Sequence, residues 1–330
     1  MTVFGRREFI SLCAAGVASA DQALTRRVWE QRRPNVLERM QEVMGPLPVM
    51  KGFPSIDSGA EFDGGTYVRR HIRYEAEAGD WVPAWLLLPK TRRGRVPAVL
   101  CLHQTTRIGK DEPAGLGGKA NLHYASELAA RGYVTLAPDY PNFGEYSIDV
   151  YARGYVSATM KGIVNHMRAV DVLGRMPEVD SRRIGVCGHS LGGHNSLFVA
   201  AFDRRIRAVV TSCGFTSFAK YYHGDLTGWS HKGYMPRIAS VYGKSPAKMP
   251  FDFPDVLSVI APRPIFINAP TSDSNFDMSG VDDCVNAARK VYEGVYHAGR
   301  SIVVEHPESA HDFPPDVRGR AYEFLDARLR

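Results

Sequence analysis

Cysteine is scarce in this 330-residue chain, with five in all. Cys13 stands near the N-terminus, and Cys101, Cys187, Cys213 and Cys284 are scattered, so their spacing resembles neither a disulfide framework nor a zinc site. Cys101, Cys187 and Cys213 fall in or at the ends of apolar runs, where a free thiol behaves as a small hydrophobe. An excess of one charge is also missing. The 41 Lys and Arg against 35 Asp and Glu leave +6, and the basic residues are interspersed with acidic ones, which argues against a nucleic-acid surface. There is no internal repeat and no low-complexity tract. Long apolar runs are absent too, and the most membrane-like stretch, Ser11 to Val17, is too short to span a bilayer. What is present is a 44% hydrophobic composition, enough for the core of one large α/β domain.

The N-terminus reads as an address. Gly5-Arg6-Arg7-Glu8-Phe9-Ile10 leads into a mildly apolar stretch and then Ala18-Ser19-Ala20 before Asp21. Paired arginines, a short apolar segment and a small-x-small end resemble a twin-arginine export signal over residues 1–20, which predicts a periplasmic or secreted protein. Residues 21–64 read as a helical extension, with a charged helix over 24–44 that stops at Gly45-Pro46. From 65 to 330 the pattern is that of a catalytic domain. Runs at 67–74 and 82–89 form an antiparallel pair, and strands near 97–102, 133–137, 183–187, 206–211, 264–268 and 301–305 alternate with helical segments. That alternation is the doubly wound, mostly parallel α/β arrangement. The last helix is expected over 316–330.

Ser190 carries the chemistry. It sits in Gly188-His189-Ser190-Leu191-Gly192, directly after the apolar run Ile184-Gly185-Val186-Cys187 and before Asn195-Ser196-Leu197-Phe198-Val199. Strand, sharp turn and helix hold a serine oxygen clear of the backbone, where a base can take its proton. Such an elbow calls for an acid and then a histidine, each just past a later strand. Asp273 follows Pro264-Ile265-Phe266-Ile267-Asn268, and His311 follows Ser301-Ile302-Val303-Val304-Glu305. Asp277 competes with Asp273 in the same loop. His306 competes with His311, but it stands at the strand end before Pro307, where a structural role fits better.

An oxyanion needs two donors. The amide of Leu191 supplies one, and the loop His103-Gln104-Thr105-Thr106 after the 97–102 strand supplies the other. The second donor is the Gln104 amide, the Thr105 amide or the Gln104 side chain. Substrate-binding candidates come from the long connection between 211 and 264, a cap at about 215–260 that carries Tyr222, Trp229 and Tyr234. Aromatic faces there suit a sugar or an acyl group, and equally suit packing of the cap. Arg107 opens the charged loop 107–112, which reads either as a pocket wall or as a solvated face.

These motifs resemble the α/β-hydrolase superfamily, in particular its exported bacterial branch of dienelactone-hydrolase-like and acetyl-xylan-esterase-like serine esterases. The resemblance covers about residues 65–330. It implies an eight-stranded, mostly parallel sheet with a cap after the sixth strand, a Ser190–His311–Asp273 triad, and neither cofactor nor metal. Dienelactone hydrolases use a cysteine nucleophile where this chain has Ser190, and Gln104 stands where a glycine is usual, so the lactone substrate does not carry over. The expected activity is hydrolysis of carboxylic esters through an acyl-enzyme, on a small-molecule or carbohydrate ester such as an acetylated sugar. A serine peptidase of the prolyl-oligopeptidase type shares the fold and residue order but lacks here a preceding propeller-length region. A binding protein on the same fold would have no use for a triad.

Overall fold

A computed structural model describes residues 24–330. The export signal expected at 1–20 lies outside the described residues. The chain enters through helix α1, Arg26–Met44, which begins where the Thr25 hydroxyl accepts the Val28 amide at 3.3 Å and ends at Gly45, whose φ of 97° only glycine adopts readily. Its inner stripe, Trp29, Val36, Met40 and Val43, recurs at helical spacing and is buried. Arg33, also buried, donates to the Ala201 and Val259 carbonyls at 3.1 Å each. Those carbonyls belong to the last turns of two later helices, so one cation docks α1 against two negative helix ends.

The sheet has nine strands among the described residues, one more than expected: β1 (Ile56–Asp63), β2 (Tyr67–Glu77), β3 (Asp80–Pro89), β4 (Val96–Leu102), β5 (Val134–Pro138), β6 (Val179–His189), β7 (Ile206–Ser212), β8 (Ile265–Asn268) and β9 (Ile302–Glu305). The added strand is β1, in the segment expected to be a helical extension. Its eight residues are all exposed, so no hydrophobic alternation announces it. It is held instead by antiparallel pairing to β2 and by ion pairs such as Arg70 to Glu61.

The strand order is β1-β2-β3-β5-β4-β6-β7-β8-β9. From β5 to β9 all neighbours are parallel. Residue by residue, these strands feed two separate cores. Ala98, Leu100, Leu136, Ile184, Val186 and Ile267 face one side, where α1, α3 (Ala158–Arg175), α4 (Leu191–Phe202), α6 (Phe253–Ile260) and α7 (Met278–Gly294) pack. Val99, Cys101, Ala137, Cys187, Val210 and Phe266 face the other, covered by α2 (Tyr124–Ala130) and α8 (Pro315–Leu329). Burial on both faces is why the strands read as continuous apolar runs and not as alternating ones. The short helix α5, Arg237–Ser240, lies in the cap. The cap proper is the irregular chain ahead of Asp252, because α6 is the ordinary helix that crosses from β7 to β8 and packs on α4 and α7.

The neighbours of β4 are β5 on one side and β6 on the other, so the order of connections reverses there. Crevices beyond the carboxyl ends of strands form at such a reversal. It brings the loop after β4 beside the turn after β6.

Candidate active site

Ser190 caps α4 with φ 54° and ψ −116°, a conformation that side-chain-bearing residues rarely adopt. The turn is held by the Ser190 amide donating to the Ser212 carbonyl at 2.8 Å. Glycine is obligatory around it. A Cβ on Gly192 would overlap the Leu102 carbonyl, and one on Gly188 would overlap the Gly192 carbonyl. The start of α4 is thereby pressed against the end of β4, and the Leu191 amide, in the first turn where no intrahelical acceptor exists, lies beside the β4 loop.

The structure brings Asp273 and His311 together. The His311 Nδ1 hydrogen donates to the Asp273 carboxylate, with Oδ1 at 3.0 Å and Oδ2 at 2.9 Å. Asp273 also accepts the amides of Asn275 at 2.8 Å and Phe276 at 3.2 Å. Burial alone raises this carboxyl, yet the His311 hydrogen bond and charge together with the two amides outweigh it and hold the group below its usual value. Their loops run side by side because Thr271 and Ser272 donate backbone hydrogen bonds to Pro307 and Ser309. The ring of His311 stands 4.8 Å from that of His189, the residue immediately before the elbow serine. Among the described residues no hydrogen bond joins the Ser190 hydroxyl to His311; such contacts commonly tighten when substrate binds.

The rivals are occupied elsewhere. Asp277 caps α7, taking the Ser279 amide at 2.7 Å and hydroxyl at 2.6 Å. His306 bonds the Ala269 carbonyl at 2.7 Å and Asp282 at 3.1 Å.

The loop after β4 is fixed by buried groups. His103 Nε2 accepts the Tyr140 amide at 2.9 Å, which leaves Nδ1 to donate to the Gln104 carbonyl at 2.6 Å. The Gln104 side chain donates to Glu112 at 3.0 Å. One of its two amide hydrogens is thereby taken, whereas among the described residues no such tie is made by the other two candidate oxyanion donors, the Gln104 and Thr105 backbone amides. The 107–112 charges are only partly solvated. Arg107 is exposed, but Lys110 is fully buried, with Asp139 and Glu145 at 3.2 Å and Asp111 at 3.7 Å, and Glu112 is 2% exposed. Asp139 further accepts the amides of Lys110 at 2.7 Å and Glu145 at 3.0 Å. This tie between the β4 and β5 loops escaped the sequence reading, although an acid directly after the β5 run was its available signal.

The cap spans the site. Tyr222, half exposed, donates to Asn275 in the acid loop at 2.8 Å. At the other end the Tyr234 hydroxyl meets the Thr105 hydroxyl at 3.1 Å. Trp229 does not present a face to solvent. It is 3% exposed and packs among His194, Phe218, Tyr221, Phe253 and Phe276, so the expectation that it stacks on a sugar is replaced by a core role. A cleft of about 350 Å³ lined by Lys220, Tyr222, His223, Asp273 and Asn275 opens on the acid side. A more open cavity of about 1090 Å³ lies against edge strand β9 and α7 and contains none of these groups.

Fold and site together define a serine carboxylic ester hydrolase of the α/β-hydrolase class. The chain belongs to the glucuronyl esterase family: the family model described as "Glucuronyl esterase, fungi" matches residues 86–295. YtaP of Bacillus subtilis (strain 168), which bears a hydrolase name, is 27% identical over 261 residues, 75% of this chain and 83% of its own. Among solved structures, a glucuronoyl esterase from Solibacter usitatus superposes with a TM-score of 0.73 at 18% identity, covering 91% of this chain and 93% of the other. Acetyl xylan esterase 1 from Thermoanaerobacterium sp. JW/SL YS485 gives 0.60 at 20% identity, covering 89% and 93%. At these identities the structural likeness shows the fold alone. No helix among the described residues is long and apolar enough to cross a membrane.

Proposed function

We propose that Ser190, His311 and Asp273 form a catalytic triad that cleaves a carbohydrate carboxylic ester through an acyl-enzyme. The observation that carries the reading is the buried Asp273 carboxylate on His311 Nδ1, because it fixes the ring with Nε2 free to act as base. His311 takes the Ser190 proton as the oxygen attacks the ester carbon. The oxyanion is met by the Leu191 amide and by a Gln104 or Thr105 amide. His311 then returns the proton to the departing alcohol, and water repeats the cycle to free the acid.

The family match supports a sugar as one part of the ester, either as a uronic acid on the acyl side or as an acetylated alcohol. Arg6-Arg7 and Ala18-Ser19-Ala20 support export, where polymer-derived esters are met. A fluorophosphonate probe is expected to label Ser190 alone, as read by peptide mass mapping. A turnover panel of a glucuronic acid methyl ester, acetylated xylosides, an aryl acetate and an aminoacyl amide then ranks substrates, with the sugar esters expected first. Labelling elsewhere would overturn the triad, and preference for the amide would make the protein a peptidase.

A further inference from the structure

Beside the candidate base His311 lie two ligating side chains that ester hydrolysis does not use, His189 and Cys213. His189, Cys213 and His311 each offer a ligating atom, and the three atoms lie within 4.8 Å of one another. They come from the end of β6, the residue after β7 and the loop after β9, so no spacing motif in the sequence could reveal them.

The His189 ring is fully buried, and its Nε2 has no hydrogen-bond partner. Its Nδ1 stands 2.8 Å from the Ser212 hydroxyl. That hydroxyl accepts from the Asn268 side chain at 2.8 Å and is directed at Cys213 Sγ, 3.9 Å away. The one hydrogen bond of the His189 ring is therefore made through Nδ1. Nε2 stays buried without a partner, and its lone pair is open to a ligand when Nδ1 carries the proton. In His311 the Nδ1–H is held by Asp273 and Nε2 is free. Metal-bound histidines are held like this, with the far ring nitrogen fixed by an acceptor behind it. Cys213 is 2% exposed and donates to the Asp312 carbonyl at 3.3 Å.

We propose that His189, Cys213 and His311 form a binding site for a soft or borderline divalent cation of the zinc, cadmium or cobalt kind, whose occupation stops the esterase. Two imidazoles and a thiolate suit such ions and disfavour magnesium and calcium. Ligand atoms around a tetrahedral ion stand roughly 3.3–3.8 Å apart given bonds of about 2.0–2.3 Å. Side-chain rotations of about 1 Å therefore close the site. Coordination releases one proton, from the Cys213 thiol, and involves no change of oxidation state. The inhibition follows from the reading of His311 as base, since an ion on either ring nitrogen takes the lone pair or the Asp273 contact that the base needs; the binding itself does not depend on that reading.

The test is a Cd²⁺ titration of the full chain, freed of metal with a chelator, following the thiolate-to-metal charge-transfer band and hydrolysis of an aryl acetate. The wild type is expected to bind one ion with one thiolate and to lose activity in parallel. Ser190→Ala should keep the band and stoichiometry although it has no turnover, which separates failure of this site from failure of the triad. Cys213→Ala should abolish the band, and His189→Gln should weaken binding by more than about 100-fold, beyond the 10–100-fold that losing a hydrogen bond behind a ligand costs. Cys101→Ala and Cys284→Ala should change nothing. A wild type without the band at millimolar Cd²⁺, or a band that survives Cys213→Ala, would overturn the proposal. If Cys213→Ala does not fold, an unaltered His189→Gln titration would overturn it equally.

Discussion

The carboxyl edge of the sheet and the cap that arches over it are held together by different physics. At the edge each loop is pinned by polar groups with few alternatives: Asp273 on His311 and two amides, His103 on Tyr140 and Gln104, Asp139 on Lys110 and Glu145. In the cap, Trp229, Phe218 and Tyr221 interlock with one another and with Phe253 of α6 as rings 5.6–6.0 Å apart. Hydrogen bonds have direction, so they fix where a loop atom points. Aromatic packing fills volume and fixes little beyond that. An edge residue should therefore report in turnover and a cap residue in stability.

The sharpest break would come from the edge. Ser190→Ala is expected to cut turnover by roughly 10⁴-fold or more while leaving the melting temperature near wild type. A large loss of stability in that variant would erase the distinction. Asp273→Asn should follow at about 10²–10⁴-fold in kcat, whereas Asp277→Asn, which keeps a cap on α7 and loses only its charge, keeps most activity and costs about 0.3–1 kcal/mol. The reverse ranking would move the acid to Asp277.

Trp229→Ala tests the other side. Emptying so buried a position is expected to cost about 3–5 kcal/mol in denaturant unfolding, with rates on a sugar ester and an aryl acetate falling together. A selective rise in KM on the sugar ester would return Trp229 to the substrate.

Asp252 sharpens the contrast through pH. It caps α6 and accepts the amides of Phe218 at 3.0 Å and Phe253 at 2.6 Å, and burial pushes its carboxyl up to about 6. The folded state thus holds this proton above the ordinary value of 3.8, so its contribution is complete at lower pH and is lost as pH rises through 6. Asp252→Asn should flatten that decline in melts taken at about pH 4 and about pH 7. A steeper decline would reverse the sign. The smallest effect is expected from Tyr222→Ala at the exposed rim, with stability within about 0.5 kcal/mol and a higher KM on carbohydrate esters only. Equal KM on every ester would leave the rim without a part in binding.

Much of this molecule was legible because its signals are local. The strands from 97 to 305 announced themselves as apolar runs, and the serine elbow as glycines at fixed offsets from Ser190. The pairing of Asp273 with His311 followed from each standing just past such a strand. The strand β1 was not legible, since all its residues face solvent and only its partner β2 defines it. Nor was the burial of Lys110 and Glu112, because a charged loop reads the same whether water or three carboxylates surround its lysine.

The sequence by itself determined the parallel sheet, the elbow and the order of acid and histidine, all properties of neighbours along the chain. Only the tertiary structure decided that Trp229 is core, that the Gln104 side chain is tied to Glu112, and that His189, Cys213 and His311 converge. Those facts depend on which strand lies beside which and on how closely α4 presses on β4, and a reversal of strand order at β4 brings together residues that no local spacing connects.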